Sequence, residues 1–297
     1  MAQVRLQSGI EIEYDAFGDR SDPALLLIMG FGAQMIGWPG PFCQRLADAG
    51  RYVIRFDNRD CGLSSKLDGC QVELPRIIEC VTAGDFAAAR ELAPYSLEDM
   101  ALDAIGLLDA LEIAAAHVVG SSMGGAIAQV MAIEHPQRVL TLTSIMSTSG
   151  DPDVGQSSPE AIQALFTPSP SDRAGFIQAA TKSAVWSSKK HYDPEEAKRK
   201  AAASYDRSYY PEGGARQIAA LISNGSRAAG LRTLQAATLV IHGLDDTLIA
   251  PSGGERIAEL APNARLLLLE DMGHDRPPAL WPEICGAIIE HTESANR

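Results

Sequence analysis

Short apolar runs rich in branched side chains recur along the chain at 24–29, 52–56, 117–120, 139–146, 238–242 and 265–269. Between them lie longer stretches in which apolar residues return every three or four positions. The first kind suits strands covered on both faces, the second amphipathic helices. Their alternation predicts an α/β protein with a mainly parallel central sheet flanked by helices. The sharpest helix signal follows Pro94, where Ser96-x-x-Asp99 forms a capping box and Leu97, Met100, Ala104, Leu107, Leu108 and Leu111 then share one face. A second helix is expected over 125–135, stopped by Pro136. A third includes 257–260, ahead of Pro262.

Two stretches break the rhythm. Residues 149–235 hold no convincing strand and read as helices separated by Pro, Ser and Gly segments such as TPSPSD and YYPEGGA. They are expected to be an insertion in a core made of 1–148 and 236–297. The smaller break, 66–94, is expected to be an excursion from that core and not a domain. Charge separates insertion from core: 149–235 carries 11 Lys and Arg against 9 Asp and Glu, a net +2, while the remainder carries −15.

Composition narrows the function classes. The 297 residues are 46% hydrophobic and 21% charged, as in ordinary packed proteins, and the net charge of −13 disfavours phosphate backbones and anionic headgroups as partners. No apolar run approaches the roughly 20 residues a membrane-spanning helix needs. Acidic residues at Glu11, Glu13, Asp15 and Asp19 stand where a signal peptide would be apolar. The five cysteines, Cys43, Cys61, Cys70, Cys80 and Cys285, are odd in number and contain no Cys-x-x-Cys pair, so neither a disulfide framework nor a zinc site is expected. A cytoplasmic protein, monomer or homodimer, acting on a small molecule is the expectation.

The candidate chemistry begins at HVVGSSMGGAIAQVM, where Gly120-x-Ser122-x-Gly124 lies between a strand pattern and a helix pattern. A serine on so sharp a strand-to-helix turn needs neighbours without side chains, and the turn lifts its hydroxyl to the sheet's C-terminal edge. A neutral hydroxyl needs a base, and the base needs an acid to fix its tautomer. His274 follows the strand ARLLLLE through a turn and so reaches the same edge. His117, His135, His191 and His291 lie at a strand start, a helix end, the insertion and the tail. His242, inside a strand end, suits a supporting role. For the acid, TLVIHG runs into Gly243-Leu244-Asp245-Asp246 and presents two adjacent carboxylates, between which spacing alone does not choose. An oxyanion hole would need the amide of Met123 and a second from the loop after LLLIMG, where Gly30 and Gly32 flank Phe31. That loop lacks the third glycine of a dinucleotide fingerprint.

Taken together, LLLIMGFGAQMIGWP, VIRFDNRDCGLSS, YSLEDMALDAIGLLDAL, HVVGSSMGGAIAQ, TLVIHGLDDTLIAP and MGHDRP resemble, in order, the α/β-hydrolase superfamily. The likeness is to serine esterases of the aclacinomycin methylesterase branch, near the cofactor-free haloperoxidases. The resemblance implies a triad of Ser122, Asp246 and His274, oxyanion amides from Phe31 and Met123, no metal or organic cofactor, and a helical cap at 149–235. A serine carboxylic-ester hydrolase that forms an acyl-enzyme is the expectation, and a helical cap over an apolar cleft is expected to admit small or medium neutral esters. Lactone, amide, carbon–carbon or perhydrolysis chemistry is the alternative on the same fold, and a non-catalytic small-molecule receptor is another. Met35, Trp38 and Trp186 are candidate substrate contacts, with Phe166, Tyr209 and Tyr210 also available to a cleft. The chain departs from its relatives at Asp60-Cys61, where many have Gly-x, at Ser121, where His is common, and at Phe31, often smaller. Asp57 and Arg59 are expected to fix a loop.

Overall fold

The computed structural model describes residues 2–294. Eight strands, β1 Ala2–Arg5, β2 Glu11–Phe17, β3 Ala24–Ile28, β4 Tyr52–Phe56, β5 Ala116–Ser121, β6 Val139–Ile145, β7 Ala237–Gly243 and β8 Arg265–Leu269, form one sheet in the order β1-β2-β4-β3-β5-β6-β7-β8. From β4 to β8 across the sheet every pairing is parallel, while β1 and β2 add an antiparallel edge. Strands β3 and β5 are buried at every position, which is why they read as continuous apolar runs.

Alternation within β3 divides the core. Leu26 and Ile28 face helices Leu97–Ala110 and Met123–Glu134, whereas Leu25 and Leu27 face Gly40–Asp48 and Trp281–Ser294. The capping box forms as expected: Ser96 Oγ accepts from the Asp99 amide at 3.1 Å and Asp99 Oδ2 from the Ser96 amide at 2.8 Å. The hairpin β1–β2 was not expected from the apolar pattern. Its residues are largely exposed or half-buried, and acidic side chains interrupt the alternation.

Between β6 and β7 the chain leaves the sheet through helices Pro159–Phe166, Arg173–Ala179, Pro194–Arg207, Glu212–Asn224 and Ala228–Leu231, with no strand among the described residues there. The excursion after β4 forms helices Leu74–Thr82 and Phe86–Leu92. Ile77 and Ala89 from these pack on Ala219 of Glu212–Asn224, so excursion and insertion share a small core of their own. Among the described residues no helix is long and apolar enough to cross a membrane.

Candidate active site

Strand β5 ends at Ser121, and helix Met123–Glu134 begins two residues later with Ser122 between them at φ 56° and ψ −121°. This backbone is costly for a residue with a side chain and is held by its surroundings. The Ser122 amide donates to the Ile145 carbonyl at 2.9 Å, tying the turn to β6. Strand and helix crowd so closely that a Cβ on Gly120 would stand 2.1 Å from the Gly124 carbonyl oxygen. The glycines of the motif are thus a steric requirement.

The loops after β7 and β8 lie side by side because Gly243 pairs with Leu269. They deliver Asp246 and His274 to the edge where Ser122 stands. His274 Nε2 lies 3.0 Å from Ser122 Oγ, and Nδ1 lies 2.7 Å from Asp246 Oδ2. Asp246 Oδ1 accepts the amides of Leu248 and Ile249 at 2.9 and 2.8 Å. Burial pushes the Asp246 carboxyl up, but the neighbouring His274, together with the hydrogen bonds of His242 and His274, outweighs it and leaves the group at about 2. His242 is buried beneath, with Nε2 2.8 Å from the Ile249 carbonyl and 3.4 Å from Asp246 Oδ2. Asp245 faces the other way, accepting the Lys189 amide at 3.0 Å and pairing with Lys189 Nζ at 3.0 Å. The structure therefore brings one of the two adjacent carboxylates to the imidazole and turns the other onto the insertion.

Pairing of Ile28 with Gly120 carries the loop after β3 across the serine. A Cβ on Gly30 would stand 3.6 Å from Ser122 Oγ, so Phe31, next in the chain, comes past the hydroxyl on the main chain. The loop is anchored from outside by Gln217, whose Oε1 accepts the Gly32 amide at 2.9 Å and whose Nε2 donates to the Arg59 carbonyl at 2.9 Å. Among the described residues the amides of Phe31 and Met123 have no hydrogen-bond partner. Two free N–H groups beside a serine hydroxyl, one of them opening a helix, can receive developing negative charge.

Ser122 and His274 open on a cleft of about 570 Å³ walled mainly by apolar side chains, among them Phe31, Met146, Ile162, Phe166 and Trp186. Trp186 and Phe166 thus stand in its wall. Met35 and Trp38 do not, contrary to expectation: the turn Met35–Gly37 directs both inward, where they are fully buried, Trp38 against Phe42 at 5.5 Å. Tyr209 and Tyr210 line a separate pocket of about 210 Å³ with Phe176 and Tyr205. Asp57 fixes its loop by accepting the amides of Met35 and Leu63 at 2.7 and 2.8 Å, and Arg59 pairs with Asp103 at 2.6 Å. Asp60 has φ 63°, the left-handed backbone glycine adopts freely, and offsets its strain with Arg216 Nε at 2.8 Å. Sequence reasoning missed Gln217, Arg216 and Arg276, whose partners lie far along the chain. Among the described residues no cluster of His, Cys, Asp and Glu is arranged to hold a metal ion.

Sheet order, elbow and the loops carrying Asp246 and His274 together define a hydrolase of the α/β class. The chain belongs to the alpha/beta hydrolase fold family, whose model matches residues 23–275. It is similar to the rhodomycin D methylesterases DauP of Streptomyces sp. (strain C5) and DnrP of Streptomyces peucetius. Each is 30% identical over 95% of this chain and 94% of the relative. An esterase from Thermogutta terrifontis shares the fold at TM-score 0.72 and 21% identity, covering all of both chains. The enol-lactonase of Burkholderia xenovorans LB400 does so at 0.73 and 21%, covering 98% of this chain and all of the other.

Proposed function

We propose that the protein is a serine carboxylic-ester hydrolase working through an acyl-enzyme, with Ser122 as nucleophile, His274 as base and Asp246 as the group that orients it. The observation that carries this reading is the unbroken line from Ser122 Oγ through both imidazole nitrogens to a buried carboxylate, at 3.0 and 2.7 Å. The methylesterase relatives lend it the bond type.

In the first half-reaction Ser122 Oγ attacks the ester carbonyl carbon while its proton passes to His274 Nε2. Asp246 stabilises the imidazolium, and the amides of Phe31 and Met123 take the oxyanion. Collapse of the tetrahedral intermediate breaks the carbon–oxygen bond, and the proton on Nε2 leaves with the alcohol. In the second, water attacks the acyl carbon and gives its proton to His274. The acid departs, and the proton returns to Ser122 Oγ.

Helices of the insertion act as a cap. Ile162 and Phe166 from Pro159–Phe166 and Trp186 beyond it wall the cleft, which suits acyl or alcohol groups of small or medium size. A fluorophosphonate probe tests the reading. The expected result is stoichiometric labelling of Ser122 with loss of ester hydrolysis; hydrolysis by a protein in which Ser122 remains unlabelled would overturn it.

A further inference from the structure

Triad and oxyanion amides leave three charged residues of the cleft unused, Lys200, Asp275 and Arg276. Arg276, two residues past His274, lines the same wall. Its Nη1 donates to Ser121 Oγ, beside the nucleophile, its Nη2 donates to the Gly37 carbonyl at 3.0 Å, and its guanidinium lies 4.0 Å above the Trp38 ring. Its Nε is enclosed without a partner.

What sets Arg276 apart is the missing counterion. Arg55, Arg59, Arg207 and Arg216 each meet a carboxylate, at Asp15, Asp103, Asp57 and Asp60. Arg227 lacks one but spends its three nitrogens on Gln129, Asn224 and the Thr148 carbonyl, away from the cleft. Among the described residues Arg276 has neither an ion pair nor a full set of neutral acceptors. The adjacent Asp275 makes no ion pair with it, and its Oδ1 accepts the amides of Ser188 and Gly273 at 3.0 and 3.2 Å. An enclosed charge left this way is expensive unless something entering the site completes it. Burial pushes the guanidinium down to about 10, with Asp275 opposing, so it stays cationic at neutral pH. Lys200 stands on the same wall, held only loosely by Glu196 at 3.6 Å. Of the charged residues lining the cleft, two are cations and Asp275 is the one acid, within a chain whose net charge is −13.

We propose that Arg276, with the Ser121 hydroxyl beside it, forms a subsite for a substrate carboxylate, so that the preferred ester carries a second, free carboxylate a few bonds from the scissile carbonyl. Nη2 spends its donors on the Gly37 carbonyl and, at 3.7 Å, the Met29 sulfur, so the second N–H of Nη1, beside Ser121, donates to that carboxylate, and Lys200 adds attraction across the cleft. This revises the expectation of wholly neutral substrates, and it rests on the esterase reading above. The carboxylate can belong to the acyl part, as in a monoester of a dicarboxylic acid, or to the alcohol part, as in an acylated hydroxy acid.

The test measures kcat/KM in two matched series: monomethyl glutarate against dimethyl glutarate, and 4-acetoxybutanoate against its methyl ester. Wild type should prefer the anion in one series, which tells acyl side from alcohol side. Arg276→Gln should cut the charged-to-neutral ratio roughly tenfold to hundredfold, the worth of a charged hydrogen bond. The loss should appear mainly in KM, and Arg276→Lys should restore part of it. No preference for the anion in either series, or a ratio unmoved by Arg276→Gln, overturns the subsite while leaving the esterase intact. Should Arg276→Gln fail to fold, titration of Ser122→Ala with monomethyl and dimethyl glutarate and with 4-acetoxybutanoate and its methyl ester decides. Tighter binding of an anion, weakened by salt, supports the subsite; equal binding in both pairs refutes it. If wild type hydrolyses no ester of either series, the esterase reading fails and the same titration still judges Arg276.

Discussion

Replacing Asp246 by Asn should silence the enzyme without unfolding it, and the neighbouring Asp245→Asn should do almost nothing. The asymmetry follows from what each carboxylate oxygen touches. Oδ1 of Asp246 receives two amide N–H groups, from Leu248 and Ile249 at 2.9 and 2.8 Å. An asparagine must put its carbonyl there, because its NH2 would meet two donors head on. The NH2 then falls at the Oδ2 position, 2.7 Å from His274 Nδ1, and donates to it. His274 is forced to carry its proton on Nε2, where it faces Ser122 Oγ as a donor and cannot take the serine's proton. A wrong-tautomer lesion of this kind costs on the order of 10⁴-fold in kcat, or about 5 kcal/mol of transition-state stabilisation. Asp245 loses only its contact with Lys189, whose side chain is 78% exposed, so its replacement should change kcat less than about threefold. The assay is kcat on a short activated ester for both variants, beside circular dichroism and a thermal melt. Comparable losses, or a larger one at Asp245, would refute the reasoning, as would wild-type kcat in Asp246→Asn.

Three further outcomes are expected. Ser122→Ala should lower ester hydrolysis by at least about 10³-fold, and Ser122→Gly equally so; but Gly accepts the φ of 56° freely, so it should melt higher than the Ala variant by about 1–2 kcal/mol of relieved strain. Because the Asp246 carboxyl is lowered to about 2, its stabilising contribution is complete above the ordinary carboxylate range near pH 4 and is lost as pH falls through 2. That contribution is about 2 kcal/mol, and urea melts between pH 5 and 2 should show a shallower decline for Asp246→Asn than for wild type. Finally, Trp186→Ala or Phe166→Ala should shift the acyl-length optimum of kcat/KM toward longer chains, whereas Tyr210→Ala, in the other pocket, should leave the optimum in place.

Much of this molecule is written locally and some of it is not. Strands buried on both faces announce themselves as apolar runs, so β3, β5 and β7 were legible. The hairpin β1–β2 had no such signal, since no residue of β1 and only Ile12 and Glu13 of β2 are buried. Ser122 and His274 were readable because strand ends and glycines mark the edge where they stand. Which of Asp245 and Asp246 meets the imidazole depends on two amide hydrogen bonds within the next three residues, below what spacing can resolve. Trp38 and Met35 misled because an apolar side chain near a cleft suits a wall as well as the core behind it. Arg276 and Gln217 could not have been found from neighbours in sequence: Arg276 meets Gly37 239 positions away, and Gln217 meets Gly32 185 away.

Three of the ion pairs that join insertion to core have a bearing on how such proteins diverge. Asp57, Asp60 and Asp245 sit on core loops, and their partners Arg207, Arg216 and Lys189 sit on the insertion. An insertion grafted from a relative with other residues at those three points would leave Asp57 and Asp60 buried without a cation, supported only by the amides of Met35, Leu63 and Leu67. Exchange of the whole insertion is therefore costly for this chain unless core and insertion change together. New substrates are more accessible by drift at Phe166 and Trp186, which border the cleft and bear none of these ties.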